Sequence, residues 1–222
     1  MPVSKENSKL ELFNQFARIG KAISNPNRLQ LMELLAQGER GVDALAKVAG
    51  LSTANTSQHL QQLKQAGLVN TRKEGLNVYY QLSGEDVLKL FLSVRKVAQR
   101  HLADVDRILD SLLGNKDNLE PVSASDLLAR TGDGSVTVLD VRPAEEYGAG
   151  HVPNAINVPL AELADFVKQL PKGQEVVAYC RGPHCVLAFD AVQTLRQQGF
   201  NARRLEDGFP EWKLAGLPVA NV

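Results

Sequence analysis

Cys180 is the residue of this sequence that is best suited to covalent chemistry. It follows the apolar run Glu175–Tyr179, and the short loop 181–185 then leads into a helical pattern. Backbone N–H groups of such a loop and the positive end of a helix favour thiolate over thiol, and they would also hold an anion or a persulfide. Arg181 and His184 could add positive charge. Position alone fits a small buried sheet residue equally well, but these surroundings favour a reactive thiolate.

A second group of candidate residues lies on one predicted helix in the N-terminal half, from the N-cap candidate Ser52 to Ala66. We expect Ala54, Leu60 and Leu63 to face inward. The side chains left outside are Thr53, Asn55, Thr56, Gln58, His59 and Gln62. Asn and Gln can pair with adenine, while Ser, Thr and His can contact bases or phosphates. With Ser52 they predict a DNA-contacting surface, to which the hairpin described next adds Arg72, Lys73 and Asn77.

The elements that position these residues are almost all helical before residue 114. The first predicted element is an amphipathic helix that ends at Asn25-Pro26 and carries on one face Phe13, Phe16, Ala17, Gly20 and Ile23. Three further helices are predicted over Leu29–Leu35, Val42–Ala49 and Ser52–Ala66. They are followed by a hairpin of two strands, Val69–Arg72 and Val78–Leu82. An uninterrupted last helix is predicted over Gly84–Leu113. Its apolar stripe, Val87 to Leu112, alternates spacings of four and three residues, which predicts a coiled-coil-like seam covered in part by a partner subunit.

The pattern changes after the polar segment 114–119, which we interpret as a linker between a domain over 1–113 and a domain over 120–222. Strands are predicted over Val136–Val141, Glu175–Cys180 and Ala202–Leu205, and helices over Ser123–Arg130, Leu160–Gln169 and Val186–Gln198. Alternation of this kind predicts an α/β domain with a mostly parallel sheet. The fold class is therefore a mainly α winged helix-turn-helix domain followed by an α/β domain.

Composition is consistent with a globular protein of two small domains: 222 residues, 44% hydrophobic and 23% charged. Residues 1–113 carry 15 Lys and Arg against 11 Asp and Glu, whereas residues 114–222 carry 10 against 14. This asymmetry suggests that only the first half meets a polyanion. The sequence has no apolar run long enough to span a membrane, no recognisable secretory signal and only two cysteines. We therefore expect the protein in the cytoplasm, away from membranes.

Residues 9–110 resemble ArsR-type winged-helix repressors. The segments that carry the resemblance are Leu51–Leu60, Leu63, Ala66–Val69, Arg72–Gly75 and Tyr79–Leu82. The resemblance implies a homodimer, formed through the first and last helices, on a two-fold symmetric operator whose half-sites lie ~34–36 Å apart. Many members sense metals, but Val42–Ala46 lacks cysteine and His101 lacks a second histidine at ligand spacing. We therefore expect no metal site, no cofactor, and a packing role for His101.

Residues 120–220 resemble a rhodanese domain. The matching segments are Leu139–Arg142, Glu146-Tyr147, Gly150–Pro159, Tyr179-Cys180, Gly208–Trp212 and Gly216–Pro218. The resemblance implies that Cys180 accepts sulfane sulfur as a persulfide, with Arg181, Gly182 and His184 in the cradle around it. Asp140, Arg142, Glu146 and His151 also match, and we interpret them mainly as paired structural residues because buried charges must be paired. A catalytic role for Asp140 is the less favoured alternative.

Cys185 is the main departure from the rhodanese pattern. Many rhodaneses place Arg five residues after the cysteine, to orient an anionic donor such as thiosulfate, and Cys185 occupies that position here. Arg181 could replace that arginine in part. A second thiol instead allows Cys185 to attack a Cys180 persulfide or sulfenic acid, provided that the two Cα atoms lie within about 7 Å. Val186 disfavours the phosphatase and arsenate-reductase relatives, which carry Arg there.

These observations predict a transcriptional regulator, which we expect to be a repressor. Its Cys180 would sense sulfane sulfur or oxidants, with Cys185 as the resolving thiol. One alternative is a sulfurtransferase with an attached DNA-binding domain, although the missing loop arginine puts efficient thiosulfate turnover in doubt. Another is a switch in which peroxide alone joins the cysteines. The partners expected are operator DNA, a second copy of the chain, and a small sulfur donor or oxidant.

Overall fold

The computed structural model describes residues 5–113, 121–132 and 134–221. The chain divides into two compact units, residues 1–94 and 95–222, and the division falls within one helix. The predicted linker 114–119 lies outside the described residues. Each unit is described by itself below.

The first unit consists of helices and a small antiparallel sheet. Its elements are α1 (Lys5–Ile23), α2 (Pro26–Ala36), β1 (Arg40–Gly41), α3 (Val42–Ala49), α4 (Thr53–Gln65), β2 (Val69–Glu74), β3 (Asn77–Leu82) and the beginning of α5 (Glu85–His101). The strand order is β1-β3-β2, with Arg72 opposite Tyr79 in the hairpin. The predicted winged helix-turn-helix is confirmed.

Local signals in the sequence fix the ends of these helices. The side chain of Asn25 accepts the N–H of Arg28 and caps α2, and Ser52 caps α4 by accepting the N–H of Asn55. Gly50 ends α3 in the left-handed region, at φ 67°, where a side chain would be strained. The buried residues beneath these helices include Leu31, Met32, Leu34, Leu45, Leu60, Leu63 and Tyr80.

Helix α1 carries large apolar side chains that the single chain leaves uncovered. Leu10, Leu12, Phe13 and Phe16 are each more than half exposed, and the rings of the two phenylalanines pack edge to face at 5.8 Å. An apolar surface of this kind marks an interaction site.

The predicted uninterrupted helix Gly84–Leu113 is wrong, because the structure has two helices, α5 and α6 (Ala103–Leu113). The break falls at Leu102, whose carbonyl accepts the N–H of Val105. Arg100 and His101 occupy the last turn of α5, and Asp104 lies in the first turn of α6. Basic residues stabilise the C-terminus of a helix and acidic residues stabilise the N-terminus of the next. The order of charges around Leu102 therefore favours the end of one helix and the start of another.

The second unit contains a parallel sheet, as predicted, and among the described residues it has four strands, of which the short Ile156–Asn157 was not predicted. Its further elements are α7 (Ala124–Thr131), β4 (Val136–Asp140), α8 (Ala144–Gly148), β5 (Ile156–Asn157), α9 (Leu163–Phe166), β6 (Glu175–Tyr179), α10 (Val186–Gln197), β7 (Ala202–Arg204) and α11 (Phe209–Leu214). The strand order is β5-β4-β6-β7. The helix predicted over Leu160–Gln169 is instead the short α9 between two 3-10 turns.

Buried apolar clusters cover both faces of this sheet, so its strands are apolar on both sides. In the β4–β6 pair Asp140 stands opposite Tyr179. The carboxyl ends of the strands that precede Val141 and Cys180 therefore meet at one edge, the usual place for a functional site in a parallel sheet.

Candidate functional site: a recognition helix and a cysteine loop

Helix α4 presents part of the predicted DNA-contacting surface. Ser52, Thr53, Gln58 and Gln62 are exposed, and Asn55 and His59 are half-buried. Ser52 and Thr53 already serve the fold, because Ser52 caps the helix and the hydroxyl of Thr53 donates to Asp43 at 3.0 Å. Among the exposed amides, Gln62 accepts from Arg28 through its side-chain oxygen, so its N–H groups and the amide of Gln58 are left for reading base edges.

Two of the predicted orientations on α4 are wrong. Thr56 is fully buried, and its hydroxyl has no hydrogen-bond partner among the described residues. Ala54 is exposed. The reason is the phase of the helix, since Thr56, Leu60 and Leu63 follow one face at spacings of four and three residues. Thr56 therefore packs in the core and is not available to DNA.

The middle of α4 is tied to the start of α2. The amide nitrogen of Asn27 lies 3.3 Å from Nε2 of His59, and Nη1 of Arg28 donates to the side chain of Gln62. Burial, and then the charge of Arg28, lowers the pKa of His59. His59 is thus neutral at pH 7 and adds no charge toward DNA.

The hairpin β2–β3 carries the predicted wing contacts. Arg72 donates to Glu39 at 2.7 Å and to Glu74 at 2.8 Å, and it lies over the ring of Tyr79. These carboxylates raise the pKa of Arg72, which stays protonated, and their negative charges offset its positive charge. Lys73 and Asn77 are exposed beside it.

Within residues 5–113, 121–132 and 134–221, no group of three or more His, Cys, Asp or Glu side chains could hold a metal ion. His101 is exposed in the single chain, and Asp104 pairs with Arg107 at 2.9 Å. In the same residues no helix has the length and apolar character needed to span a membrane.

The two cysteines are joined in the structure. A disulfide connects Cys180, directly after β6, to Cys185, the N-cap residue of α10, and their Cα atoms are 6.2 Å apart. The loop between them is closed by a hydrogen bond from the N–H of Cys185 to the carbonyl of Gly182 at 3.1 Å. Cys180 is 1% exposed and packs in the core, whereas Cys185 is half-buried. Cys185 is therefore the sulfur of the pair that solvent reaches more easily.

The two candidate cations of the loop do not supply free positive charge, contrary to expectation. Arg181 makes a two-pronged contact with Glu146, whose side chain is fully buried. Burial, and then the charges of Arg95 and Arg204, lowers the pKa of His184. His184 is neutral at pH 7, and Arg181 is committed to Glu146, so neither replaces the arginine that Cys185 displaces.

Asp140 and Arg142 form a fully buried ion pair at 2.6 Å, and the hydroxyl of Tyr179 donates to the same Asp140 oxygen at 2.6 Å. The N–H of Val152 donates in turn to the Tyr179 hydroxyl, and Arg142 donates to the carbonyl of Gly150. Burial and the Asp140 charge raise the pKa of Tyr179 well above its ordinary value. The structural pairing predicted for Asp140 and Arg142 is confirmed.

His151, which was expected to be paired like Asp140 and Arg142, forms no ion pair with any of the described residues. Its ring stacks on Tyr147 with centroids 3.7 Å apart, and its Nδ1 lies 3.0 Å from the carbonyl oxygen of Tyr147.

The segment 208–211 supports the cysteine loop and was not assigned a role from the sequence. The N–H of Phe209 donates to the carbonyl of Cys180 at 3.1 Å. A Cβ on Gly208 would lie 2.3 Å from the nitrogen of Gly182, so only glycine fits there. The sequence identified Gly208 as part of a rhodanese-like motif, but it did not indicate that Gly208 would pack against Gly182 of the cysteine loop.

Comparison with known proteins agrees with this architecture. The profile of the bacterial regulatory protein arsR family matches residues 25–71, and that of the rhodanese-like domain matches residues 123–215. The HTH-type transcriptional regulator Rv0324 of Mycobacterium tuberculosis is 50% identical over 211 residues, which cover 95% of this chain and 92% of the relative. A sulfurtransferase of Allochromatium vinosum is 31% identical over 102 residues, 46% of this chain and 92% of the relative.

Among solved structures, the homodimeric winged helix-turn-helix DNA-binding domain (fragment 1–100) of a Mycobacterium bovis protein is 45% identical and covers 47% of this chain and 94% of its own, with a TM-score of 0.42. The profile matches and the similarity to the M. tuberculosis regulator along nearly the whole chain lead to one assignment. The chain belongs to the arsR family of transcriptional regulators and carries a C-terminal rhodanese-like domain.

Proposed function

We propose that this regulator is a cytoplasmic, homodimeric repressor whose operator binding depends on the oxidation or sulfuration state of Cys180 and Cys185. In this proposal residues 1–113 bind DNA and dimerise, and residues 120–222 sense. The observation that carries the proposal is the disulfide between Cys180 and Cys185, whose Cα atoms are 6.2 Å apart. Cys185 occupies the loop position at which many rhodaneses carry an arginine.

Two surfaces of the first unit support the DNA-binding part. Exposed Gln58, Gln62 and Lys73 supply base-reading and phosphate-contacting groups on α4 and the wing. The apolar side chains exposed on α1 support dimerisation, because a second copy would cover them. A two-fold symmetric dimer requires an operator of matching symmetry.

The chemistry proposed for the cysteines balances without a cofactor. The Cys180 thiolate takes the terminal sulfane sulfur of a polysulfide, which leaves one sulfur shorter. The Cys185 thiolate then attacks the Cys180 sulfur, forms the disulfide and expels hydrosulfide. Two thiols lose two electrons, and the sulfane sulfur is reduced to sulfide. Peroxide yields the same disulfide through a Cys180 sulfenic acid, with two water molecules as products.

The alternative function, sulfurtransferase turnover, is favoured by the similarity to the A. vinosum sulfurtransferase. Against it, Glu146 engages Arg181, and Cys185 leaves the loop without the arginine that would orient thiosulfate. Thiocyanate formation from thiosulfate and cyanide separates the two functions. Many turnovers per second would indicate an enzyme, whereas one stoichiometric modification supports a sensor.

The proposal is tested with an operator selected by the full-length chain from a library of random duplexes. Its affinity is measured for the wild type, Cys180→Ser and Cys185→Ser, each fully reduced and after treatment with polysulfide or peroxide. We expect the treated and reduced wild type to differ by at least about tenfold, within the usual range of coupling between two sites, and neither variant to respond. Equal affinities in all arms would exclude sensing by these cysteines.

The mass of the peptide that contains both cysteines identifies the product in each arm. A disulfide lowers the mass by two hydrogens, and a persulfide raises it by one sulfur. Peroxide as the sole effective agent would support the simple redox switch over sulfur sensing.

A further inference from the structure

A guanidinium group lies against the cysteine loop from outside its own sequence. Arg95, in the last turns of α5, belongs to the same compact unit as the loop. A Cβ added to Gly182 would lie 3.1 Å from Nη1 of Arg95 and 3.8 Å from Oε1 of Glu211. Arg95 and Glu211 form an ion pair that is mostly shielded from solvent, with side chains 22% and 13% exposed.

A short series of contacts connects this ion pair to Cys180. Glu211 accepts the hydrogen bond of Arg95 through Oε1 and that of the Gly208 N–H, at 3.1 Å, through Oε2. The Gly208 backbone is in contact with Gly182, where no additional atom fits. The next residue, Phe209, donates its N–H to the carbonyl of Cys180. One carboxylate therefore holds the segment that packs on the loop, and Arg95 holds that carboxylate.

The other charged groups near the loop do not duplicate this arrangement. Arg204 lies over the ring of Phe189 and donates to the backbone carbonyls of Leu205 and Glu206. The pKa of Asp207 is raised, first by burial and then by Glu211 and Glu206. Arg95 is thus the cation that is hydrogen-bonded to the carboxylate that supports the loop.

We propose that Arg95 is a positioning residue for the cysteine loop, and that its ion pair with Glu211 favours the conformation in which Cys180 and Cys185 are joined. The inference deepens the proposed function, because it names a residue on α5 that is coupled to the state of the cysteines. Coupling is reciprocal: if the ion pair favours the disulfide, closing the disulfide strengthens the ion pair to the same extent. Opening the loop therefore loosens the hold on Arg95.

The test measures the equilibrium between disulfide and dithiol in glutathione buffers, using the full chain without DNA. The variants are Arg95→Met, Glu211→Gln, the double variant, and Arg95→Lys, which keeps the charge. Lys96→Met is the matched control, since Lys96 is exposed on the same helix. Thermal unfolding of each dithiol form establishes that the proteins compared are folded.

We expect Arg95→Met and Glu211→Gln each to lower the ratio of disulfide to dithiol by about fivefold or more, the lower end of typical coupling between sites. The double variant should be no worse than either single variant, because both remove one ion pair. In Arg95→Lys and Lys96→Met the ratio of disulfide to dithiol should stay within about twofold of the wild-type ratio. An effect of about fivefold can then be distinguished from these controls.

A wild-type equilibrium in both Arg95→Met and Glu211→Gln would overturn the inference, and so would effects that multiply in the double variant. Because no DNA is present, the result is independent of the operator measurements. A shifted equilibrium together with an operator that ignores the cysteines would leave the positioning role intact and reject the proposed function. An unshifted equilibrium with a responsive operator would do the reverse.

Discussion

Nε of Arg181 lies 2.9 Å from Oε1 of Glu146, and Nη2 lies 2.6 Å from the same oxygen. The residue that follows the buried cysteine therefore uses its charge to hold a fully buried carboxylate, 35 positions earlier in the chain. Because its guanidinium is bound to Glu146, Arg181 serves the fold and is not positioned to bind an anionic sulfur donor.

Arg181→Met should lower the free energy of unfolding by about 3 kcal/mol, because it leaves the Glu146 carboxylate buried without its partner. The double variant Arg181→Met, Glu146→Met should recover much of that loss, since two apolar side chains replace the ion pair. Urea denaturation of the fully reduced proteins measures both. An Arg181→Met protein as stable as wild type would show that the contact contributes little.

The two cysteines should differ in their reactivity toward glutathione disulfide. In Cys180→Ser the remaining half-buried Cys185 should react at least about tenfold faster than Cys180 does in Cys185→Ser, because attack on a reagent as large as glutathione disulfide depends on access to the sulfur, unlike attack on a small polysulfide or peroxide. The rate of mass gain in each variant gives the comparison. Equal rates would mean that the dithiol form exposes Cys180 as fully as Cys185.

Thr56→Val should raise the free energy of unfolding by about 1 kcal/mol, because it removes a buried hydroxyl that makes no hydrogen bond among the described residues. Operator affinity should not change, since the side chain faces the core. Thr53→Val, at an exposed position on the same helix, is the matched comparison. A loss of DNA binding in a stable Thr56→Val protein would contradict the observed orientation.

Base-reading and phosphate-contacting residues should give different signatures in DNA binding. Gln58→Ala should weaken binding to the selected operator by about 1–3 kcal/mol and relax the preference at one base pair. Lys73→Ala should weaken binding to all sequences and reduce the slope of log K against log salt by about 0.9. Titrations at several salt concentrations distinguish the two effects, and Lys89→Ala, exposed on α5, controls for general charge.

Stability should fall as the pH is lowered, in part through His184. Its pKa is lowered in the folded protein, so the unfolded chain takes up the proton first, near its ordinary pKa of about 6.5. The folded state is therefore favoured above that pH and progressively disfavoured below it. His184→Gln should flatten the loss between about pH 7 and pH 5. His59, whose pKa is also lowered, should still contribute.

Signals confined to neighbouring residues predicted most of the fold. Ser52 and Gly50 fixed helix ends through their own caps, and the apolar runs around Val138 and Val177 identified two strands of the sheet. The orientation of Thr56 was wrong because the inward residues were chosen by their apolar character, which favoured Ala54, although the spacing of four from Leu60 places Thr56 on the buried face. The break at Leu102 was missed because no glycine or proline marks it, only the change in the sign of charge.

The candidate site was less predictable, because its contacts join distant parts of the chain. The cysteines are five residues apart, and their spacing raised the disulfide as one alternative. The partners of the loop are not visible in this way. Glu146 matched a family position without indicating that it would bind Arg181, and Arg95 is separated from Glu211 by 116 positions. Such contacts depend on the folded arrangement of several elements.

The uncovered side chains of Leu10, Phe13 and Phe16 have a consequence for dosage. If the chain dimerises through them, as proposed, the dimer is present in proportion to the square of free monomer, so at low expression a halving of the chain leaves roughly a quarter of the dimer. Synthesis and degradation of the protein then act on its target genes alongside any chemical signal. In the proposed function, the expression of the target genes would therefore depend both on the amount of this regulator and on the chemical state of its cysteines.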